Sequence, residues 1–374
     1  MNNTTANASA APARAKRFRF AEGGLIVVIL ALGVLLTIFG GSVKMPVFQT
    51  GPDGTRTRVM TTNAQGDQEG LLVEKNTFLN ARNLSQLAKD TSFIAIMAVG
   101  ATMIIISGGI DLSVGAIYAL ASVAGALVLQ KFGPEGQAAG RFGGVALGIF
   151  ACVGTATLCG LINGGMIVAL KVHPFIITLG TMAIYRGIAF VLTNGQSIGG
   201  FPESFRSIIQ WEAGDGLSIV PLLTMVLVAV AGTVFLSRLA AGRRVYAIGG
   251  NELASTFSGI RVGRVKLGVF IISGLVAGIS ALLSIGYYGA ATSGDGQGYE
   301  LNVIAAAVIG GASLSGGKGT ALGAVLGALI IQMISSGIVI LRIDQNYSQI
   351  IIGSVIVVAA TIDRTLAAPR GLRA

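Results

Sequence analysis

A single carboxylate interrupts one of the long apolar stretches of this chain. Asp111, in the segment IIISGGIDLSVGAIYAL (residues 104–120), is the only charged residue between Thr91 and Gln130. Apolar stretches of about 20 residues are long enough to cross a bilayer as helices. Hydrocarbon penalises a buried charge by roughly 2.5–3.5 kcal/mol, so an acid in such a stretch requires a functional or a structural explanation.

Apolar stretches of this kind recur along the chain. Its 374 residues are 53% hydrophobic and only 11% charged, against about 25% charged residues in soluble domains. We therefore predict an all-α polytopic membrane protein with about ten transmembrane helices and with broken or re-entrant segments. The eighth predicted span is too short to cross alone and is the candidate for a re-entrant segment. The spans are predicted near residues 22–40, 91–107, 111–130, 143–170, 174–193, 219–237, 267–289, 301–312, 320–341 and 347–362.

The basic residues orient these spans. Fifteen of the 26 lysines and arginines fall on one side of the ten-span topology, as expected for cytoplasmic loops. This bias explains the net charge of +10 better than nucleic-acid binding does, and it places both termini in the cytoplasm. The predicted regions are a disordered cytoplasmic N-terminus (1–21), one transmembrane domain (22–362) with an external loop (41–90) and a cytoplasmic loop (238–266), and a cytoplasmic tail (363–374).

Glycine gives two further signals. Pairs at four-residue spacing, such as Gly160/Gly164 and Gly274/Gly278, predict close helix packing in a membrane. In addition, residues 108–127 (GGIDLSVGAIYALASVAGAL) match residues 310–329 (GGASLSGGKGTALGAVLGAL) at 11 of 20 positions without gaps. We interpret this match as an internal repeat, whose copies are parallel or inverted depending on whether one glycine break is re-entrant.

Motifs for catalysis or cofactor binding do not fit their required context. GGASLSGGKGT resembles a phosphate-binding loop, but Lys318 is followed by Gly319 instead of Ser or Thr, and no strand precedes it. GDGQGYE (294–300) lacks the dinucleotide spacing. With one histidine and no paired carboxylates, the sequence predicts no enzyme, no metal site and no cofactor bound by this chain.

The loop 238–266 contains a predicted short helix. Asn251 is a good N-cap, Glu252 suits the first turn, and Gly259 suits the C-terminal stop. A short capped helix flanked by basic residues can dock into a groove on a partner. A solvated loop that only sets the membrane topology is the alternative, and the residues alone do not separate the two.

Four stretches together resemble a permease subunit of ABC sugar importers of the ribose, xylose and galactose class. They are GGIDLSVGA, NGGMIVALKVHPFIITLGTMAIYRGIAFVLTNGQSI (163–198), GRRVYAIGGNELASTFSGIRV (242–262) and GYELNVIAAAVIGGASLSGGKGTALGAVLGALI (298–330). The resemblance implies import of a monosaccharide across the bacterial inner membrane. It also implies a second permease chain, an ABC ATPase carrying ATP and Mg²⁺, and an external sugar-binding protein. The long 41–90 loop departs from the family pattern, and its contact with the binding protein is a hypothesis.

The resemblance suggests residues for two roles. In the family, closure of the ATPases is transmitted through a short cytoplasmic helix, and the ATPase-coupling candidates here are Gly242, Arg243, Tyr246, Gly249, Gly250, Asn251, Glu252 and Gly259. The sugar-pathway candidates are neutral or acidic hydrogen-bonding residues, each of which could instead cap or bond a helix backbone; they are Asp111, Ser113, Asn163, Thr178, Thr181 and Asn194. We expect Arg186 to extend outward from its span.

Asp111 itself has three interpretations: a proton relay, a ligand of the transported solute, or a structural group that caps a helix. As a proton relay it would indicate a proton-coupled secondary transporter, which is one alternative function; a branched-chain amino-acid ABC permease is the other. Its repeat counterpart is Ser313, and because Asp and Ser are both good N-caps but not both proton carriers, we favour a helix cap. A cap is needed because hydrocarbon offers no partner to the free N–H groups of a broken helix.

Overall fold

A computed structural model describes residues 20–50, 56–62, 67–138, 143–213 and 216–367. Helices dominate it, as predicted. They are α1 (Phe20–Phe39), α2 (Ala81–Ile106), α3 (Val114–Phe132), α4 (Gly144–Leu170), α5 (Pro174–Thr193), α6 (Glu203–Ile209), α7 (Ile219–Arg238), α8 (Ala240–Gly250), α9 (Glu252–Phe257), α10 (Val262–Tyr288), α11 (Tyr299–Ile309), α12 (Ala321–Ile340) and α13 (Ser348–Ala367). A 3-10 turn, Gln345–Tyr347, precedes α13.

Eight of these helices are long and apolar enough to cross a membrane, and α11 and the apolar part of α13 add two shorter ones. The predicted bounds of α1, α4, α5, α7 and α12 are correct to within two residues. In contrast, α2 begins ten residues before its predicted start, because Asn80 caps it and its first turns are polar. Polar turns extend a helix beyond its apolar part, and hydropathy does not detect them.

Little of the organisation predicted for the two ends of the chain can be compared with the described residues. The disordered N-terminus predicted over residues 1–21 lies almost entirely outside the described residues, since α1 starts at Phe20. At the other end α13 continues to Ala367, so the first five residues of the predicted tail are helical. Residues 368–374 lie outside the described part.

Helix α2 forms the centre of the bundle. Every residue from Thr91 to Ile106 is buried, and the helix contacts α7, α10, α11 and α12. The second close pairing joins α4 to α10. A Cβ on Gly160 would overlap the carbonyl oxygen of Phe270, and one on Gly274 would overlap that of Ala156. The close packing predicted from the glycine spacing is therefore confirmed for this pair of helices.

The described residues 42–50, 56–62 and 67–76 form three two-stranded β arms where the sequence predicted a loop. Val47, Val59 and Leu71 close the junction of the arms with a ring of backbone hydrogen bonds: 47 N–H to 71 C=O, 71 N–H to 59 C=O, and 59 N–H to 47 C=O, at 2.7–3.0 Å. The arms pair β1 (Ser42–Pro46) with β6 (Leu72–Asn76), β2 (Phe48–Thr50) with β3 (Arg56–Arg58), and β4 (Met60–Thr62) with β5 (Gln68–Gly70). We call this unit the three-arm junction.

Two short antiparallel pairings complete the described strands. β7 (Ile198–Gly199) pairs with β10 (Ala290–Ala291), and β8 (Glu212–Ala213) pairs with β9 (Leu217–Ser218). After β10 the chain makes an irregular turn, residues 292–298, and then enters the eleven-residue α11. The eighth predicted span is therefore a half-length helix, as its short apolar stretch indicated.

Candidate transport and coupling sites

The chain between α2 and α3, residues 107–113, forms the first glycine break. Its polar side chains bond locally: Ser107 Oγ donates to Ile104 C=O at 2.7 Å. Asp111 Oδ1 accepts from both the backbone N–H of Ser113, at 2.8 Å, and Ser113 Oγ, at 2.6 Å. Asp111 is only 4% exposed. Its carboxyl group therefore closes a turn inside the bundle.

This break is tied to two neighbouring helices by a buried polar network. From α4, Asn163 Nδ2 donates to Ser113 Oγ at 2.8 Å, and from α5 the Tyr185 hydroxyl donates to Asn163 Oδ1 at 3.0 Å. Thr178 Oγ1 accepts from Leu112 N–H at 3.2 Å and lies 3.3 Å from Ile110 C=O. The network satisfies backbone groups that a helix break leaves open where no water is present.

Five of the six pathway candidates gather around this break. Thr181 completes the set by bonding its own helix at Thr178 C=O, 3.3 Å away. Asn194 lies apart, as the exposed C-cap of α5 in the left-handed conformation. Those gathered in the network are buried and bonded to one another or to backbone groups. Their role in the sugar pathway stays a prediction; their observed role is to hold the break.

The interpretation of Asp111 as the cap of a helix is wrong, although its carboxyl group does hold a turn next to the helix start. Helix α3 begins at Val114 with Ser113 as its N-cap, so Asp111 precedes the cap by two residues. The carboxyl group bonds the N–H two residues ahead, which is an Asx turn and not a helix cap. The prediction placed the helix start at 111 because the apolar pattern begins there.

Two neighbouring residues on α5 differ from expectation. The sequence reasoning overlooked Tyr185, and only its position one turn after the polar Thr181 could have indicated an inward-facing side chain. Arg186 was expected to extend outward, and this is wrong. Its Nη1 donates to the carbonyl oxygens of Ser293 and Asp295, at 2.8 and 2.6 Å, so it ties α5 to the 292–298 turn.

The second glycine break, residues 310–320 between α11 and α12, is organised differently. Its backbone packs against the end of α8: a Cβ on Gly249 would overlap the carbonyl oxygen of Ile106 and come within 2.5 Å of Gly317 N. Gly317 N–H donates to Ile106 C=O at 2.9 Å, and the Tyr246 hydroxyl donates to Gly319 C=O at 2.7 Å. This contact joins α8, the end of α2 and the second break at one place.

The coupling candidates lie in α8, in α9 and in the residues that flank α9. The predicted short helix is present: Asn251 Oδ1 accepts from Ala254 N–H at 2.9 Å, and Gly259 adopts a φ of 80° just after the helix. Lys266 Nζ contacts both oxygens of Glu252 at 2.8 Å, which ties α9 to α10. The loop predicted over 238–266 thus consists mostly of helix. The ATPase-coupling role of these residues stays a prediction.

The remaining coupling candidates are structural parts of α8. Gly242 lets the start of α8 approach the end of α7, since a Cβ there would overlap Phe235 C=O. Arg243 donates back to Arg238 C=O at 3.0 Å, and Gly250 has open space around its Cα. The surface at this end of the bundle is basic, with five exposed arginines: Arg238, Arg243, Arg244, Arg261 and Arg264.

On the α9 surface two large apolar side chains face outward. Leu253 is 72% exposed and Phe257 is 89% exposed, on a helix of six residues. Side chains of this size at such exposure, next to basic residues, are typical of an interaction site. The bundle therefore combines a buried polar network around the first break, a second break packed against α8, and a short exposed helix, α9.

A polytopic helical bundle with these features defines a membrane permease, and comparison with known proteins identifies its family. The chain belongs to the family described as branched-chain amino acid transport system / permease component, which matches residues 83–360. No solved structure matches the chain. Together with the apolar helices, membership of this family makes the chain a multi-pass inner-membrane protein.

Curated relatives cover most of the chain. It is 39% identical to the ribose import permease protein of Bacillus subtilis (strain 168), over 77% of this chain and 86% of the relative. It is 37% identical to the D-allose transport system permease protein of Escherichia coli (strain K12), over 77% and 85%. It is 33% identical to the galactose/methyl galactoside import permease protein of Haemophilus influenzae, over 78% and 89%.

Proposed function

We propose that this chain is the transmembrane permease subunit of an ATP-driven ABC importer that carries a monosaccharide. The observation that carries this proposal is the similarity to permeases named for ribose, D-allose and galactose, across more than three quarters of the chain. The family description names branched-chain amino acids. The full-length relatives favour a sugar over an amino acid as the solute.

The partners follow from the same assignment. An ABC ATPase binds ATP and Mg²⁺ and docks on α9, where Leu253 and Phe257 supply apolar contacts and the surrounding arginines supply charge. This chain carries no nucleotide-binding motif and hydrolyses nothing itself. Movement of α9 passes to α8, and from α8 through the contact of Gly249 with Gly317 and Ile106 into the bundle.

We place the α8 end of the bundle in the cytoplasm, because its exposed arginines obey the positive-inside rule. The three-arm junction then faces outward, where an external sugar-binding protein delivers the solute. A second permease chain completes the importer. The sugar itself is selected mainly on the binding protein.

Uptake into proteoliposomes tests the assignment. The permease is reconstituted with the ATPase and binding protein encoded beside it, and labelled ribose, allose, galactose and leucine are offered with and without ATP. We expect uptake of at least one of the sugars that requires both ATP and the binding protein. Uptake of leucine alone would reassign the solute, and uptake without ATP hydrolysis would overturn the ABC assignment.

A second experiment tests the docking helix. Replacing Leu253 and Phe257 together by Ala removes the exposed apolar side chains without touching the Asn251 cap or the Glu252–Lys266 ion pair. We expect the variant to insert normally and to lose most of its ATPase in co-purification. The matched control is Leu79→Ala, an exposed leucine (59%) far from α9, which should retain the ATPase. Equal retention by both variants would remove α9 from the interface.

A further inference from the structure

The 292–298 turn leads from β10, which pairs with β7 beyond the end of α5, inward to the start of α11. Arg186, which holds it, follows Pro174 by twelve residues, or about 18 Å along a helix of about 30 Å. On the other side α11 continues from the turn for eleven residues, about 16 Å, before it reaches the second break. Gly296 also lies against Gly115 in the first turn of α3. The inner end of the turn, at Gly296 and Gln297, therefore lies within the length of the membrane-spanning helices and not beyond their ends.

The turn is irregular and polar at this depth. Its backbone follows a series of tight turns, with Asp295 N–H donating to Thr292 C=O and Gln297 N–H to Gly294 C=O, both at 3.2 Å. Gly294 and Gln297 are exposed on the surface of the protomer. Irregular backbone does not occur against lipid tails; at membrane depth it is either covered by protein or lines a water-filled cavity.

A helix elsewhere on the bundle provides the contrast. Leu227, the ninth residue of the twenty in α7, is 60% exposed, and its exposed neighbours Leu223, Val226 and Val230 are all apolar. Lipid tails can cover such an apolar surface without leaving a polar group unpaired. They cannot cover the surface at Gly294 and Gln297 in this way, because an amide side chain and peptide groups require hydrogen-bonding partners.

We propose that the 292–298 turn lines the water-filled path of the solute, with Gln297 and the exposed peptide groups as contacts to sugar hydroxyl groups. This rests on the proposed function and specifies where its solute is contacted. The Asp295 carboxyl group is engaged by the backbone N–H and the hydroxyl group of Thr292, so the exposed groups, Gln297 and the peptide groups, are uncharged and suit a neutral polyhydroxyl molecule. The Arg186 guanidinium is engaged by the carbonyl oxygens of Ser293 and Asp295 and acts as a positioning residue for the turn.

Labelling with a charged, membrane-impermeant thiol reagent tests the path in the assembled importer. Both native cysteines, Cys152 and Cys159, are buried, so the unmodified protein serves as the blank. Gln297→Cys is compared with Leu227→Cys, which lies within a membrane-spanning helix and is also exposed. We expect Gln297→Cys to react about a hundredfold faster, because a charged reagent does not enter hydrocarbon readily. Labelling is followed with and without ATP and binding protein.

Absence of labelling at position 297, both with and without ATP and binding protein, would overturn the proposal. It would indicate that a second chain covers the turn and excludes water from it. Equal labelling of both positions would overturn the proposal as well. A steric test uses uptake: Gln297→Trp should reduce sugar uptake about tenfold or more, whereas Leu227→Trp, on the apolar face of α7, should retain it. Labelling requires no solute, so rapid labelling combined with failed sugar uptake would support the path and refute only the sugar.

Discussion

The two glycine breaks share a sequence and differ in construction. Their repeats agree at 11 of 20 positions, yet the first break is held by side chains from inside the bundle, and the second by backbone contacts with α8. Only Gly108 has a positive φ in the first break, whereas Gly311, Gly316, Gly317 and Gly319 do so in the second. We call the first break the anchor, because side chains from neighbouring helices hold it, and the second break the joint, because its backbone packs closely against α8.

The difference is visible where the following helix starts. Helix α3 begins at Val114, whose aligned counterpart is Gly316, but α12 begins five residues later at Ala321. Asp111 closes its turn with a carboxyl group, whereas its counterpart Ser313 donates its backbone N–H to Lys318 C=O at 3.1 Å. The longer second break brings glycines against Gly249 and so connects the bundle to α8. The comparison teaches that two segments with matching sequences can form breaks of different geometry.

The largest effect is expected at the joint. Gly249→Val places side-chain atoms where Ile106 C=O and Gly317 N lie, so α8 must separate from the second break. We expect a loss of about 3 kcal/mol in stability, seen as a lower melting temperature in detergent and as ATP hydrolysis without uptake. The adjacent Gly250→Ala is the matched control, because its Cβ meets nothing within 4 Å. Equal behaviour of both variants would mean that the joint does not transmit movement.

A smaller effect is expected at the anchor. Asp111→Ala leaves the Ser113 N–H without its acceptor in a buried site, which costs about 2 kcal/mol. Asp111→Asn keeps an oxygen acceptor at the same place and should retain stability and ATP-dependent uptake. Melting temperature and uptake are measured on the same preparations. If Asp111→Asn were stable and lost uptake, the carboxyl group would be acting on the solute or on protons and not as an anchor.

The smallest effect is expected at the cap of α12. Thr320 Oγ1 accepts from Gly323 N–H at 2.9 Å, which is a regular N-cap in the second break. Thr320→Ala should lower stability by about 1 kcal/mol, and Thr320→Ser should restore it. In the first break Ser113 makes no such side-chain cap bond. Ser113→Ala should therefore lower stability through the loss of the Asn163 and Asp111 contacts and not through the loss of a cap. Ser113→Thr should also lower stability, unlike the exchange of Thr and Ser at position 320.

The sequence predicted those parts of the fold that depend on local pattern. Helix α5 was placed at 174–193 and found there, because Pro174 starts it and Asn194 ends it. The short helix α9 was predicted from the Asn251 cap. The three-arm junction was not predicted, since its strands are three to five residues long and pair across as many as 34 positions, as Ser42 does with Asn76. Short strands of this kind have no periodicity of their own.

The sequence predicted most residues of the polar network, but not which of them contact one another. Asp111, Ser113, Asn163 and Thr178 were selected as polar residues in apolar stretches, and they do meet in one network. Which of them face each other depends on the packing of α4 and α5, and so Tyr185 was missed. Arg186 was misplaced for the same reason: its partners are backbone carbonyls more than 100 residues away, which carry no signal in the residue type.

The ring of main-chain hydrogen bonds at Val47, Val59 and Leu71 has a consequence for engineering and for evolution. Because the ring involves no side chain, the β2–β3 and β4–β5 arms can each grow in steps of two residues per strand without changing the other arms. The chain passes from α1 to α2 through the β1–β6 arm, which these two arms do not alter. An epitope or affinity tag grafted onto either of the other two arms would therefore extend from the importer as a handle, with the transmembrane bundle left as it is.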